Sequence, residues 1–138
     1  MKRFTVIAIS LLMSVAPSAH VHAAKKSTGL CPQWQKLAIS VGWKMRNLET
    51  LDRLMHRESR CWAGALNSTL NRDGSSDYGL MQINDKTWCL PSKYAFKGYL
   101  QAQKILKDCN ELLIPVINLT AALAVYEAAG NSFSPWGA

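Results

Sequence analysis

Glu58 and Asp77 are the residues best placed to do chemistry in this sequence. They lie 19 positions apart, and the stretch they belong to continues through Gln82, Asn84 and Trp88. Two carboxylates on different elements can divide a reaction between them: one protonates a leaving oxygen, the other stabilises or captures the cation that remains. Amide and aromatic side chains lie between and after them. That is the equipment for cleaving a glycosidic bond.

The elements that must position these groups can be read from periodicity. Asn47 is placed to cap a helix with Leu48, Leu51, Leu54 and Met55 on its apolar face, and Glu58 falls next on that face. A carboxyl that continues an apolar stripe near a helix C-terminus sits where an anion is disfavoured, as a general acid requires. The other reading is a surface Glu paired with Arg57 or Arg60. Residues 66–77 are rich in Asn, Asp, Ser and Gly and read as a turn-dense loop. Residues 78–84 alternate weakly and read as a short strand. Asp77 stands at the junction, either as a second catalytic group or as a turn residue capping a hairpin.

The rest of the chain frames that pair. Trp34, Leu37, Ala38 and Val41 predict a helix over 32–41, with Pro32 near its start and Gly42 stopping it. Residues 91–98 read as loop and 99–107 as helix. An Ala-rich helix over 118–129 opens after Pro115 and ends at Gly130, and is expected to run buried through the centre. Ser134-Pro135-Trp136 closes the chain as an aromatic plug. Trp62 and Trp88 are candidate cleft aromatics, with Trp62 read rather as a core filler. The fold expected is α+β, mostly α-helical, with a small antiparallel β-hairpin beside a cleft.

The 138 residues suffice for one core. Residues 1–23 read as a secretory signal peptide: a positive start at Lys2 and Arg3, an apolar run over 4–15, Pro17, and a cleavage site after Ala23. The run is too short to cross ~30 Å of hydrocarbon, and no stable membrane insertion is expected once it is removed. Localisation is therefore periplasmic or extracellular. Residues 24–30 read as a polar, flexible lead-in, and 31–138 as the folded domain. The chain has 16 Lys and Arg against 9 Asp and Glu, so the exported form is basic and favours anionic partners. The basic residues are scattered and form no aromatic-interleaved stripe, so nucleic acid is not expected as a partner. Four cysteines in an exported chain imply disulfides. Of three connectivities, Cys31–Cys61 with Cys89–Cys109 closes the most local loops, each worth about 3–4 kcal/mol. There is no C-x-x-C, and His56 is the sole histidine after residue 23, so no zinc site is expected.

The run from Asn71 through Asp73-Gly74-Ser75-Ser76-Asp77-Tyr78-Gly79 to Gln82-Ile83-Asn84, followed by Trp88-Cys89, resembles the hairpin of animal c-type lysozymes. Glu58-Ser59, Gly79-Leu80-Met81-Gln82 and Ala124-Val125-Tyr126-Glu127-Ala128-Ala129-Gly130 resemble the bacterial soluble lytic transglycosylase (SLT-type) domain. The resemblance covers residues 31–136. There are departures: the spacing from Glu58 to Asp77 is two residues longer than the c-type pattern, Thr87 replaces a usual aromatic, and four cysteines stand for the c-type eight.

The resemblance implies a lysozyme-like fold. It implies a secreted monomer that cuts peptidoglycan glycan strands at the β-1,4 bond between N-acetylmuramic acid and N-acetylglucosamine. Glu58 matches the catalytic acid and Asp77 the second carboxylate. Met81 and Gln82 match a cleft-lining strand, Asn84 and Trp88 match sugar-holding positions, and Tyr126 matches a tyrosine close to the acid. The strand and the Tyr-bearing helix favour the transglycosylase branch, with Glu58 acting alone as acid and base to form a 1,6-anhydro product. The alternative is a hydrolytic lysozyme using Glu58 and Asp77; the resemblance to either branch implies no metal and no cofactor. An inactive wall-binding module on the same fold, and an antimicrobial acting by charge alone, are the readings from other classes.

Overall fold

The structure, a computed structural model, describes residues 28–138; the signal peptide and its cleavage after Ala23 lie outside the described residues. Helix α1 (Pro32–Ser40) begins on the expected proline and ends before Gly42. A 3-10 turn (Met45–Asn47) runs directly into α2 (Leu48–Ser59). Asn47 is itself helical and its side chain makes no capping bond, so the turn stands in for the cap expected there. Leu51, Leu54 and Met55 are buried as the stripe predicts.

Asp52 on the same helix is buried too, because its carboxylate accepts the Leu30 and Cys31 N–H groups at 2.6 and 2.9 Å. Gln35 Nε2 donates to the Thr28 carbonyl at 2.7 Å. Residues 28–30, expected to be flexible, are thus tied to α1 and α2. At the other end of α2, Arg60 and Cys61 adopt φ of 52° and 65° and turn their N–H groups onto the His56 and Met55 carbonyls. That left-handed stop, stapled by the Cys31–Cys61 disulfide, fixes the helix end that carries Glu58.

Three two-residue strands form an antiparallel sheet in the order β1 (Leu66–Asn67), β2 (Asp77–Tyr78), β3 (Ile83–Asn84). The strand expected over 78–84 is in fact two strand ends and the turn between them. Gly79 and Gln82 have φ of 73° and 45°, which no strand tolerates. A Cβ on Gly79 would lie 2.3 Å from the Leu112 carbonyl oxygen and 2.4 Å from Asn118 Nδ2, so only glycine fits. β1 falls inside the stretch that reads as loop. Helix α3 (Asp85–Trp88) follows at once, its N-terminus capped by Asn84.

Helix α5 (Pro115–Ala128) is the central element, packing against α1, β3, the 3-10 turn Cys109–Leu113 and the C-terminal 3-10 turn Ser134–Trp136. Asn118 on it is fully buried. Its Oδ1 accepts the Met81 N–H at 2.9 Å, and its Nδ2 donates to the Tyr78 and Leu112 carbonyls at 2.8 Å each. One amide therefore satisfies three backbone groups and moors the hairpin turn to the core. Asn118→Ala leaves those groups unpaired in a dry interior. It is expected to cost about 3 kcal/mol and to lower the melting temperature by more than about 10 °C, measured by thermal unfolding.

Helix α4 covers only Tyr99–Ala102, since the chain turns off at Lys104 with φ of 60°, and the helix expected to 107 is one turn. Cys89–Cys109 is the second disulfide, and the pairing is the local one expected. Trp43, Tyr126 and Phe133 form an aromatic cluster with centroids 4.7–5.6 Å apart. Trp62, expected in the core, is 66 % exposed.

Candidate active site

Glu58, from the last turn of α2, and Asp77, from β2, line one cleft of about 630 Å³. Gln82, Asn84 and Trp88 line it as well. So do Asn67 and Leu70 from the β1 region, Ile83 and Val125 at its floor, and Pro135 and Trp136 from the C-terminal turn.

Sheet register explains the surroundings of Asp77. Asn67 pairs with Asp77 across β1–β2, and Asn84 pairs with it across β2–β3. Residues in register share a face of the sheet, and both amides reach the carboxylate. Asn84 Nδ2 donates to Oδ1 at 2.8 Å; Asn71 Nδ2 and Asn67 Nδ2 donate to Oδ2 at 2.7 and 3.3 Å. Asn84 is held in turn. Its Oδ1 accepts the Thr87 N–H and hydroxyl, and its Nδ2 also donates to Ser75 Oγ at 2.8 Å. Asp77 is therefore a half-buried carboxylate fixed by donors on both oxygens.

The chain before β2 is ordered by Asp73. Ser75 donates its hydroxyl and its N–H to Asp73 Oδ1 at 2.7 and 3.0 Å. Those bonds, the hydroxyl's first, hold the Asp73 carboxyl below its ordinary 3.8. A carboxyl-resonance NMR titration should place the Asp73 midpoint under that value, and Ser75→Ala should move it back up.

Glu58 has a quarter of its side chain exposed and is bound by its neighbour. Arg57 Nε and Nη2 donate to Oε1 at 2.9 and 2.6 Å, and Nη2 also reaches the Trp136 carbonyl. The apolar surroundings expected from the helix stripe are thus replaced on one side by a guanidinium. Trp136 in turn donates Nε1 to the Met81 carbonyl at 2.8 Å. The C-terminal turn so links the acid's helix to the hairpin.

Two residues expected at the cleft are elsewhere. The Met81 side chain is fully buried in the core, and only its backbone carbonyl meets the cleft residue Trp136. Tyr126 packs in the cluster with Trp43 and Phe133 and borders a separate small cavity beside Gly42 and Asn131. Gln82 does line the cleft, but its amide nitrogen is used on the Gly79 and Ala65 carbonyls. Sequence reading overlooked Asn67, Asn71 and Trp136 as site residues. Asn71 opens the hairpin motif and could have been found from it. Asn67 depends on strand register, and Trp136 on how the terminus folds back. Among the described residues, no three His, Cys, Asp or Glu side chains are grouped so as to hold a metal ion.

No family model matches the chain. It is similar to the lysozyme of Hyalophora cecropia, 37% identical over 67 residues that make up 49% of this chain and 44% of that protein. The lysozyme of Bombyx mori is 41% identical over 70 residues, 48% of this chain and 44% of that one. Lysozyme X of Drosophila melanogaster is 36% identical over 66 residues, with shares of 48% and 44%. The matched part thus spans less than half the length of these relatives. In three dimensions the chain is similar to a lysozyme from Litopenaeus vannamei, with a TM-score of 0.59 and 23% identity, covering 82% of this chain and 84% of that one. The fold is lysozyme-like: mostly helical, with a small three-stranded antiparallel sheet.

Proposed function

We propose that the protein is a hydrolytic lysozyme, an exported muramidase acting as a monomer on peptidoglycan glycan strands. The observation that carries this reading is the three-amide cradle of Asp77 in the same cleft as Glu58. An anion fixed before the reaction begins costs no reorganisation when positive charge develops on the sugar. Glu58 protonates the glycosidic oxygen; its Oε2, which accepts no hydrogen bond among the described residues, is the oxygen left for that proton. Asp77 stabilises or captures the glycosyl cation, and water completes a retaining hydrolysis. Trp88 lines the cleft wall where the N-acetylated sugars lie, while Asn84, its amide used on Asp77, Ser75 and Thr87, acts by holding Asp77.

The names of the sequence relatives support hydrolysis over the transglycosylase branch that the motifs favour. So does the position of Met81 and Tyr126, two of the three residues on which that branch leaned, since neither side chain lines the cleft; the third, Gln82, lines it with its amide nitrogen bound to the Gly79 and Ala65 carbonyls. One observation favours a second reading, an inactive wall-binding module: the guanidinium of Arg57 seated on Glu58. Purified peptidoglycan separates the readings. Release of soluble muropeptides with reducing muramic ends is expected. Anhydro-muramic ends would instead establish the transglycosylase, and binding without release would establish the module.

A further inference from the structure

The loop between Cys89 and Gly98 is built to display apolar side chains. Its ends touch, since a Cβ on Gly98 would fall 1.8 Å from the Cys89 carbonyl oxygen. The Cys89–Cys109 disulfide anchors its base. At its tip, Ser92 and Ala95 exchange backbone hydrogen bonds of 2.9 and 3.2 Å, and the Tyr94 N–H is taken by Ser92 Oγ. It is a closed Ω-like loop with a defined tight turn. Such a loop ordinarily packs on its own side chains. Here every residue from Pro91 to Lys97 is exposed, with Tyr94 at 85 % and Phe96 at 101 %. Leu90 beside them is exposed as well.

The loop and the helix that follows it carry lysines and no carboxylate of their own. Between Thr28 and Ala138 there are 12 Lys and Arg and 9 Asp and Glu. Four of those cations, Lys93, Lys97, Lys104 and Lys107, fall between Leu90 and Lys107, a segment with no carboxylate; Asp108 follows it, and the Glu111 carboxylate accepts the Lys107 N–H at 2.9 Å. The lysines are spaced along the chain, but the absence of acids makes this segment the source of the positive excess. Lys93 Nζ stands 4.7 Å from the Tyr94 ring centroid. Behind the tip, Lys97 and Lys107 flank a cavity of about 340 Å³ with Pro91, Phe96 and Leu106 in its wall.

We infer that this loop is an interfacial anchor for an anionic lipid bilayer. Tyr94 and Phe96 enter the headgroup–acyl boundary while Lys93, Lys97 and Lys107 meet lipid phosphates. Charge alone would suit any polyanion, but a Phe ring held wholly in water at a rigid tip gains only from an apolar phase. The combination of aromatic and Lys side chains is the one that bilayer interfaces select. The anchor lies outside the catalytic cleft and does not depend on the proposed hydrolysis. It holds the protein at a surface without spanning it, and no helix among the described residues is long and apolar enough to cross a membrane.

The test is co-sedimentation of the exported, disulfide-bonded protein with phosphatidylcholine vesicles that contain, or lack, roughly one-third phosphatidylglycerol. Partition is expected only with the anionic vesicles. The pair Tyr94→Ser and Phe96→Ser, which leaves net charge unchanged, should lower partition by about tenfold or more. The pair Lys93→Gln and Lys97→Gln should lower it and weaken its salt dependence. All four side chains are solvent-facing, so thermal unfolding should match wild type. Removing equal charge elsewhere, with Lys44→Gln and Arg46→Gln, should leave partition within about twofold. Three results would overturn the anchor: no partition by the wild-type protein, partition unchanged in the Ser pair, or an equal loss from the distant charge pair.

Discussion

Glu58→Gln is expected to lower the rate of peptidoglycan cleavage on the order of a thousandfold, about 4 kcal/mol of barrier. The substitution is close to isosteric and retains an Oε1 acceptor for the Arg57 guanidinium, so the link to Trp136 survives. What it removes is the proton that must reach the glycosidic oxygen. The side chain is partly exposed and has no other hydrogen-bond partner among the described residues, so unfolding temperature should change little. Turnover measured on purified walls, beside a thermal melt of the same sample, checks both halves. Activity near wild type in a folded sample would remove Glu58, and the proposed mechanism with it.

Asp77→Asn is the second large effect. It should cost about 3 kcal/mol of barrier, on the order of a hundredfold in kcat, with KM nearly unchanged. The cradle explains the expectation. Asn67, Asn71 and Asn84 all point donors at position 77, and an asparagine there turns one acceptor into a donor and removes the negative charge. Loss of charge alone weakens the transition state, and the donor clash loosens the sheet row as well. A fall of less than tenfold in kcat would return Asp77 to the role of a turn residue that ties the hairpin.

The parts of the fold legible in the sequence are those whose information is local. The α2 stripe from Leu48 to Met55 places Glu58 at a helix end, and the structure puts that helix at Leu48–Ser59. Pro115 and Gly130 bracket α5 because a proline starts a helix without losing a bond and a glycine accepts the left-handed stop. Both disulfides follow from closure of short loops. The sheet was poorly legible because its strands are two residues each, too short for alternation to register. Residues 78–84 alternate by accident of a turn whose side chains serve the core, with Leu80 and Met81 both fully buried.

The same division runs through the site. Glu58, Asp77, Asn84 and Trp88 are carried by contiguous motifs and do meet in one cleft. Asn67 joins them only through cross-strand register, and Trp136 only because Phe133 packs on the Trp43–Tyr126 cluster and turns the terminus back. Tyr126 and Met81 fail as cleft residues for a related reason. Both positions came from resemblance, and which face a side chain takes is decided by packing, which a motif does not encode. Arg57 was visible as a possible partner of Glu58, but its second bond, to the Trp136 carbonyl, required the fold.

In the proposed mechanism Glu58 and Asp77 direct water, rather than the muramic acid 6-hydroxyl, to the broken bond. Cleavage of purified peptidoglycan in heavy-oxygen water, followed by mass spectrometry of the muropeptides, distinguishes the two acceptors. Reducing muramic ends that carry the label are expected. Unlabelled products lighter by one water, ending in anhydro-muramic acid, would rule out hydrolysis and leave Glu58 acting alone.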